Sequence, residues 1–577
     1  MAPIPLPSVS PTQAFLERIR TSLIGDDLVL PGPFGPRRLV YADWAASGRA
    51  LSFVEDTIRR DVLPLYANTH TEASATGRRT TALREDARRA VHRAVGGGPD
   101  DVVVFTGTGA TGAIDRLLRI LELDPRRRPV VFVGPFEHHS NELVWRESAA
   151  DVVVIRATPE GGFDLDHLRE ELGRHADRPV KIGSFSAASN VTGIVTDVDA
   201  VSILLHRHGA LALWDYAAAG PHLPIEMNPR PDVEDGAFAW KDAVFLSPHK
   251  LPGGPGSPGV LVAKRHLFAN RVPAVPGGGT IAYVTPEHQT YLDDPAHREE
   301  AGTPAIVESI RAGLAFLVRE QVGAETIREL EESFVESALS TWRRNPSILL
   351  LGNPDLPRVS IVSFGIRYPL EARPVGMLHP NFVVALLGDL FGIQARSGCF
   401  CAGPYVHRLV DFDAETSAAH EAEFLRGHQG IKLGFVRVTL EYFLSEAVFA
   451  YLVDAVDFLA EHAWKLLPLY SFDPRSGLWR HRHAPPERPA TLSLGAGLAG
   501  RPATAPESAL AGYLAEAREI VARVEARPPP PVPPTPFVSE EFERLRWFPL
   551  PETSSKRAPA RARSPLEEPP RPLRARG

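Results

Sequence analysis

The chain has 577 residues, of which 44% are apolar and 23% charged, as is typical of a soluble globular protein with a sizeable core. Its 63 basic and 70 acidic side chains leave a net charge of −7, which argues against a strongly basic nucleic-acid binder. Only two cysteines occur, Cys399 and Cys401, so a disulfide-stapled secreted fold is excluded and a cytoplasmic location is expected. We expect neither a signal peptide nor a membrane span.

From about residue 41 to 310, short β-branched runs alternate with stretches of helical periodicity. Continuous apolar runs are typical of buried parallel strands, and the helices between them supply the crossovers. The pattern predicts a large α/β domain at 41–310, preceded by a proline-rich N-terminal segment at 1–40. The predicted strands are Asp101–Phe105, Pro129–Val133, Asp151–Ile155, Lys181–Phe185, Ala210–Trp214 and Ala243–Leu246.

A smaller α+β domain is predicted at 311–475. Its first part, 311–346, has the periodicity of one long helix or two. A strand is predicted at Val359–Phe364, and a further helix is predicted from Glu446 to Leu467.

The remaining residues, 476–577, form a Pro/Ala/Arg-rich tail that is predicted to be partly disordered. One helix is predicted at Ser508–Arg527. The run Pro528–Pro536 is expected to be extended, because proline cannot join a helix or a central strand. The tail beyond Arg527 is therefore expected to be dispensable for catalysis, although four of its apolar residues have the character to dock on the main body: Phe542, Leu545, Trp547 and Phe548.

A glycine-rich turn follows the first predicted strand of the large domain. Thr106–Gly112 reads TGTGATG, which satisfies the G-x-G-x-x-G spacing of dinucleotide sites. Any helix N-terminus with small residues offers free N–H groups to a phosphate. A nicotinamide enzyme should also carry an acidic residue at the end of the next strand, where Glu137 comes late. The turn is interpreted as a dinucleotide site, another phosphate site or a plain strand–helix turn.

Two other predicted strand ends carry residues with cofactor chemistry. Lys250 ends the string Ser247-Pro-His-Lys in a chain with only seven lysines, and a glycine-rich stretch follows it. Burial makes a lysine amine nucleophilic, as a Schiff base requires, whereas the plainer interpretation is a solvated surface lysine. Asp215 ends the run ALALWD, where a carboxylate either holds a pyridinium nitrogen protonated or caps the next helix.

Taken in chain order, the phosphate turn and six later strings resemble the class V aminotransferases over about residues 38–470. More narrowly, they are similar to the cysteine desulfurase and selenocysteine lyase branch, and GCFC also resembles the cysteine loop of molybdenum-cofactor sulfurases. The strings are EHHSN, SNVTG, WDYAAAG, SPHKLPGG, EEAGTP and RSGCFCAGP. The resemblance implies the PLP-dependent transferase fold type I. That fold has a large, mostly parallel sheet domain, a smaller α+β C-terminal domain and a homodimeric assembly. The cofactor would be pyridoxal 5'-phosphate (PLP).

The resemblance also implies a role for each matching residue. Lys250 would bind PLP covalently, Asp215 would pair with the pyridine nitrogen, and His138 would stack on the ring. Arg437, with Arg396 beside it, would take the substrate carboxylate, since a guanidinium fork suits a carboxylate. The other implied contacts are Asn190 at the ring hydroxyl; Ala110, Thr111, Ser247 and His249 at the phosphate; and Gly279 and Thr280, or Thr303, at the phosphate of the neighbouring subunit.

Cys401 falls where cysteine desulfurases carry the persulfide cysteine, which would make it the sulfur acceptor. Two other interpretations stay open, a structural cysteine and a Cys-x-Cys metal half-site. The metal site is disfavoured because His407 alone does not complete four ligands, and no metal is predicted. If the backbone is extended at 399–401, both thiols face the same side. Spacing then does not choose between Cys399 and Cys401.

The favoured function is a cysteine desulfurase-like enzyme that releases sulfur from cysteine through a Cys401 persulfide. The alternative is a class V enzyme of other chemistry, an aminotransferase, epimerase or β-lyase, in which Cys401 is incidental. Two departures from the desulfurase pattern support the alternative, Ala218 in place of a Gln or His and Gly403-Pro404-Tyr405 in place of Gln-Pro. A third possibility is a non-catalytic scaffold that binds partners through its tail. Expected partners are a small amino acid, a second copy of the chain and a sulfur-acceptor protein, with neither nucleic acid nor a membrane.

Overall fold

The computed structural model describes residues 10–69, 71–368, 376–410, 412–486, 492, 503–530 and 532–552. The chain divides into two compact units. The first holds the segment that ends at Ile24, Trp44–Glu332 and Asp355–Ser360. The second holds Gly25–Asp43, Ser333–Pro354 and the chain from Ile361 onward.

The first unit is built around a seven-stranded sheet. Its strands in chain order are β1 (Asp101–Phe105), β2 (Val130–Val133), β3 (Asp151–Val154), β4 (Lys181–Ser186), β5 (Leu211–Asp215), β6 (Ala243–Leu246) and β7 (Val260–Lys264). Their order across the sheet is β1-β7-β6-β5-β4-β2-β3. The neighbours from β6 to β3 are all parallel, whereas β7 runs antiparallel to both β1 and β6. The predicted α/β fold with a large, mostly parallel sheet is confirmed.

All six predicted strands are present, and β7 is the strand that the sequence reasoning missed. It follows the glycine-rich stretch after Lys250, and its five residues Val260–Lys264 are all buried. The other strands were predicted from apolar runs that alternate with helices. No α-helix lies in the described residues between β6 and β7, so this alternating pattern did not predict β7. Strand β2, which lies between β4 and the edge strand β3, is also buried along its whole length, as expected of a strand covered on both faces.

Helices of the first unit begin where polar side chains cap them. Ser74 accepts a hydrogen bond from the Gly77 backbone N–H, and Asp164 and Asp197 cap two later helices in the same way. The helices are Pro11–Ser22, Ser52–Thr57, Ala75–Ala94, Gly109–Leu121, His139–Arg146, Leu165–Arg174, Val198–Arg207, Pro295–Arg298 and Ile306–Val322. A small antiparallel hairpin pairs Ile281–Val284 with Gln289–Tyr291.

The boundary between the units lies later than residue 310. The helix Ile306–Val322 stays with the first unit because it packs closely on the helix Ala75–Ala94. A Cβ atom at Gly313 would lie only 2.5 Å from the Ala87 Cα atom, so glycine is required at this contact. Of the two alternatives predicted for 311–346, the structure has two helices, because Gly323, with φ 89°, separates Ile306–Val322 from Ala324–Trp342.

The second unit has a four-stranded antiparallel sheet in the order Ile348–Leu350, Ile361–Ile366, Phe435–Thr439, Arg396–Gly398. Two hairpin strands, Tyr470–Asp473 and Leu478–His481, follow later in the chain. Short strands pair Val29–Leu30 with Arg37–Arg38, and Val40–Tyr41 with Ile393–Gln394. The helices are Pro380–Phe391, Gly403–Leu409, Ala414–Leu425, Glu446–His462, Leu510–Ala526 and Glu540–Leu545.

Part of the predicted N-terminal segment belongs to the second unit. The buried Arg37 donates from Nε to the Leu390 carbonyl oxygen at 2.7 Å, and Arg38 pairs with Asp26 at 2.7 Å. The Arg38 backbone N–H also donates to the Tyr513 hydroxyl at 3.1 Å. The contacts with Leu390 and Tyr513 join residues 353 and 475 positions apart, a pairing that no local pattern reveals.

The tail packs on the second unit as far as residue 552. Its predicted helix is present at Leu510–Ala526, and the four apolar residues singled out in the sequence are all buried. Trp547 stacks on the buried His379 ring at 5.6 Å and donates from Nε1 to the Ile431 carbonyl oxygen at 3.1 Å. Phe548 meets the same His379 edge-on at 4.6 Å. Burial lowers the His379 pKa to about 3, so this ring is neutral. The predicted disorder of 553–577 lies outside the described residues.

Within the described residues, no helix combines the length and the hydropathy needed to cross a membrane.

Because Phe548 is fully buried in this aromatic cluster, Phe548→Ala should lower the free energy of unfolding by about 3 to 5 kcal/mol. Phe537, in the same tail, is 71% exposed, so Phe537→Ala should change the free energy of unfolding by less than about 0.5 kcal/mol. Urea denaturation of the two variants checks this. Equal, small effects would show that the tail aromatics do not stabilise the unit.

Candidate active site

The glycine-rich turn of the first unit joins β1 to the helix Gly109–Leu121. Gly109 has φ 54°, and the Ala110 backbone N–H donates to the Ser247 hydroxyl at 2.9 Å. A Cβ atom at Gly109 would lie 2.9 Å from Ser247 Oγ and 3.5 Å from His249 Nε2. The absence of a side chain therefore lets the helix N-terminus meet the segment that follows β6. Free N–H groups and the positive end of the helix dipole make this place suited to an anion.

Lys250 lies on a 3₁₀ turn, Pro248–Lys250, directly after β6, and its backbone N–H donates to the Ser247 carbonyl oxygen at 3.0 Å. The side chain is partly buried. Burial, reinforced by the Lys250 charge, lowers the His249 pKa to about 4, so the imidazole is neutral near pH 7.

The three other lysines of the first unit have partners that explain their positions. Lys241 Nζ lies 2.6 Å from an Asp199 carboxylate oxygen, and Lys264 Nζ lies 2.8 Å from Asp101. Lys181 donates to a backbone carbonyl oxygen at 2.9 Å. All three have structural contacts at strand ends or in loops. Lys250 is the candidate nucleophile of this unit because of its position, directly after β6 on the segment that meets the glycine-rich turn.

Asp215 ends β5, next to β6, and is buried. The Ala217 backbone N–H donates to its Oδ1 at 2.8 Å, so the carboxylate also closes a local turn. Burial raises the Asp215 pKa, while this hydrogen bond and the Lys250 charge oppose the rise. Ala218, the residue after Ala217 and the third after Asp215, is buried and contributes only a methyl group.

His138 is the N-cap residue of the helix His139–Arg146. The Ser140 backbone N–H donates to its Nδ1 at 3.1 Å, so in the neutral ring the proton sits on Nε2. The Ser140 hydroxyl lies 3.0 Å from the same nitrogen and 2.7 Å from the Thr111 hydroxyl. Ser140 therefore links Thr111 of the glycine-rich turn to His138, a contact that the sequence did not predict.

Glu137 is the second residue that was missed. Its buried carboxylate accepts hydrogen bonds from the backbone N–H groups of Gly134 (3.2 Å) and Ser186 (2.9 Å). It also accepts from the Ser186 hydroxyl (2.6 Å) and from Asn141 Nδ2 (2.7 Å). Burial raises the Glu137 pKa to about 7, with a contribution from the Asp215 charge, although the four donors favour the ionised form. A glutamate next to two histidines at a strand end was the available signal.

The remaining predicted cofactor contacts lie at three other places in the first unit. Asn190 is buried in the turn after β4. Thr280 is fully buried, and its hydroxyl donates to the Gly277 carbonyl oxygen at 2.7 Å. Gly279 has φ 85°, and the Thr303 hydroxyl accepts from Asn68 Nδ2 at 3.2 Å. The structure therefore joins Ala110 directly to Ser247 and links Thr111 to His138 through Ser140. Thr280 bonds within its own loop, whereas Thr303 bonds to Asn68, 235 residues earlier in the chain.

In the second unit, Arg437 and Arg396 converge on Asp43. Arg437 is buried, and its guanidinium donates to Asp43 Oδ1 at 3.0 Å. Arg396, directly opposite Arg437 in the antiparallel ladder, lies 3.9 Å from Asp43 Oδ2. Burial lowers the Arg437 pKa, and Asp43 counteracts that effect. Asp43 was not among the predicted residues, because nothing in the local sequence links it to a strand 394 residues later.

The backbone at the cysteines is not extended, so the condition under which both thiols would face the same side is not met. The Ala402 N–H donates to the Cys399 carbonyl oxygen at 3.0 Å, which closes a turn, and Phe400 and Cys401 have φ values of 55° and 56°. A strand register therefore no longer places the two thiols on one side. Cys401 is exposed and Cys399 is half-buried. The turn, rather than the spacing, distinguishes the two cysteines.

Comparison with known proteins places the chain in a family. The family model for class V aminotransferases matches residues 40–426. A probable cysteine desulfurase of Halobacterium salinarum is 28% identical over 391 residues, covering 67% of this chain and 88% of the relative. A probable cysteine desulfurase of Streptomyces coelicolor is 28% identical over 377 residues, covering 64% of this chain and 84% of the relative.

Solved structures are similar in fold. The apo cysteine desulfurase of Thermococcus onnurineus has a TM-score of 0.61 at 21% identity, covering 80% of this chain and 100% of that chain. The Escherichia coli cysteine desulfurase CsdA has a TM-score of 0.58 at 23% identity, covering 77% of this chain and 98% of that chain. The chain belongs to the class V aminotransferase family. The predicted family, the fold type I architecture and the likeness to cysteine desulfurases are confirmed.

The depressed pKa of His249 gives a test of the site electrostatics. The folded protein keeps this ring neutral while the unfolded chain binds a proton, so stability should fall as the pH decreases from about 6.5 to about 4. His249→Gln should make this loss shallower in cofactor-free protein, as measured by thermal denaturation across that range. His288→Gln, at an exposed position, should keep the parental slope. Identical slopes for all three proteins would contradict the buried, neutral histidine.

Proposed function

We propose that the protein is a PLP-dependent, cysteine desulfurase-like enzyme. The observation that carries the proposal is the grouping within one unit of Lys250 after β6, the buried Asp215 after β5 and the glycine-rich helix N-terminus. In an open α/β sheet, ligands bind at the carboxyl ends of the strands, which is where all three lie. The family membership and the names of the relatives support the same activity.

The residues of the first unit fit PLP. The helix N-terminus meets Ser247 and His249 where a Cβ atom at Gly109 would intrude, which is a cradle for a phosphate. When bound, PLP supplies an electron sink for bonds at the amino-acid Cα and Cβ atoms. We assign Lys250 Nζ to the covalent attachment and the buried Asp215 carboxylate to the pyridine nitrogen. The remaining assignments are His138 for the ring face, Asn190 for the ring hydroxyl, and Ala110, Thr111, Ser247 and His249 for the phosphate.

The protonation of these groups suits the assignment. Asp215 is a buried carboxylate, and a pyridinium N–H would give it the charged partner that burial demands. His138 accepts the Ser140 N–H on Nδ1, so in the neutral ring the proton sits on Nε2. A neutral His249 becomes a better phosphate partner once an anion arrives, because the added charge raises the pKa that burial lowers.

We assign the substrate carboxylate to Arg437, with Arg396 as its neighbour. Asp43 balances one of the two guanidinium charges, so one carboxylate would complete the neutralisation of the pair. This favours an amino acid with a single carboxylate, and we propose cysteine or a close relative of it.

The exposed Cys401 supports sulfur transfer. In this reaction, its thiolate attacks the substrate sulfur, an S–S bond forms as the substrate Cβ–S bond breaks, and the carbon skeleton leaves as alanine. The persulfide sulfur would then pass to an acceptor, a second thiol protein or a reductant. We further propose a homodimer in the cytoplasm, with Thr280 or Thr303 directed to the partner's cofactor.

The alternative is a class V enzyme of other chemistry. It is favoured by Ala218, whose buried methyl group stands where desulfurases carry a Gln or His near the ring hydroxyl. In that case the protein would bind PLP and turn over an amino acid without using Cys401.

Borohydride reduction of the PLP-loaded protein should fix the label on Lys250. Lys250→Ala should abolish the label, whereas Lys181→Ala, which removes a lysine bonded to a backbone carbonyl, should keep it. Peptide mapping by mass spectrometry identifies the labelled residue. A label recovered on Lys181, Lys241 or Lys264 would show that the assignment is wrong.

Cys401→Ala should retain the visible absorbance of bound PLP but lose sulfide release from cysteine by at least about 100-fold, since the nucleophile is gone. Cys399→Ala is the matched control and should keep activity within about threefold. Sulfide and alanine are measured together. If Cys401→Ala turns over cysteine at the parental rate, the thiol is incidental and the alternative chemistry is favoured.

A further inference from the structure

The turn that carries Cys401 has a backbone conformation that its side chains disfavour. Among the described residues, five non-glycine residues have a positive φ, and Phe400 and Cys401 are the only two that are adjacent. In the left-handed region, the Cβ atom crowds the following carbonyl oxygen, so such positions usually hold glycine or asparagine. Two successive left-handed residues in a non-glycine pair must be held by contacts outside the turn.

Those contacts converge on the ring of Phe400. Phe400 is 5% exposed, and the Arg437 guanidinium carbon lies 4.8 Å from its ring centroid. Arg437 is itself 3% exposed and is fixed by the ion pair with Asp43. A guanidinium over an aromatic face in a dry environment is a favourable cation–π contact. The ring therefore packs against a side chain that cannot easily move.

The strand before the turn is fixed as well. Gly398 pairs with Phe435 in the antiparallel ladder, and a Cβ atom at Gly434 would lie 2.7 Å from the Gly398 Cα atom. Ser397 donates from Oγ to Asn381 Oδ1 at 2.6 Å. These contacts fix the position of the backbone where the turn begins. Phe400 is the next buried side chain after them.

From this geometry we infer that Phe400 is a positioning residue: its buried ring, packed on Arg437, holds the left-handed turn that keeps Cys401 exposed and Cys399 half-buried. The relevance of Phe400 to sulfur transfer rests on the proposed function. The effect of Phe400 on the turn does not depend on the reaction. The inference also connects the proposed substrate-carboxylate residue, Arg437, to the proposed sulfur acceptor through one aromatic side chain.

Limited alkylation of the resting, full-length protein with iodoacetamide tests the inference. The ratio of labelled Cys401 to labelled Cys399, measured by peptide mass spectrometry, should strongly favour Cys401 in the parent. Phe400→Ala removes the ring but keeps the Cβ atom that opposes the turn, so the ratio should fall about tenfold. Phe400→Tyr keeps the aromatic face and should retain the parental ratio.

Phe400→Gly gives the most diagnostic result. Glycine removes the ring but also the steric opposition to a positive φ, so its ratio should lie between those of Phe400→Tyr and Phe400→Ala. If Phe400 only filled space, the glycine variant would be at least as disturbed as the alanine variant. Phe400→Leu provides apolar bulk without the aromatic face, in case the smaller variants fail to fold; its ratio should also fall.

A parental labelling ratio in both Phe400→Ala and Phe400→Leu would overturn the inference. Failure of the proposed function would look different, since the parent would release no sulfide from cysteine while its labelling ratio still responded to Phe400. In an active enzyme, Phe400→Ala should lower kcat for sulfide release about tenfold, and Phe400→Tyr should restore it. The visible absorbance of bound PLP should stay unchanged in both variants.

Discussion

The buried carboxylate of Glu137 is the constraint on which the candidate site of the first unit depends. Four donors, from the segment after β2, the end of β4 and the helix His139–Arg146, surround it. A buried carboxylate that lost these donors would be left with an uncompensated charge, so the three elements must keep their relative positions. Ser186, which supplies two of the donors, lies directly opposite Asp215 in the parallel ladder. The same network therefore sets the place of His138, next to Glu137, and of Asp215.

A buried ion pair has the corresponding role in the second unit. Arg437 is nearly inaccessible and would be costly to bury alone, and Asp43 makes its burial tolerable. With Asp43 fixed on one side, the guanidinium presents a rigid face to the Phe400 ring on the other. The proposed substrate site and the cysteine turn of this unit are thus two consequences of one buried cation, and a change at Asp43 should disturb both.

Much of the large sheet was predictable because its signals are local. Six of its seven strands were predicted from short apolar runs, because such a run indicates a buried strand whatever its partners are. The positions of Lys250 and Asp215 at strand ends followed from the same runs. By contrast, β7 was missed because it is antiparallel and has no crossover helix. Glu137 was considered only as a late acidic residue, since its partner Ser186 lies 49 residues away.

The sequence by itself determined the family, the positions of six strands of the large sheet and the candidate lysine, aspartate and histidine. Each of these follows from a short segment of sequence, because the residues of such a segment by themselves favour a particular turn or strand. Only the tertiary structure decided which thiol is exposed, what neutralises Arg437 and where the tail aromatics pack. The physical reason is that each of these depends on contacts between distant segments, Asp43 with Arg437 and His379 with Trp547 among them, whose closeness no local pattern encodes.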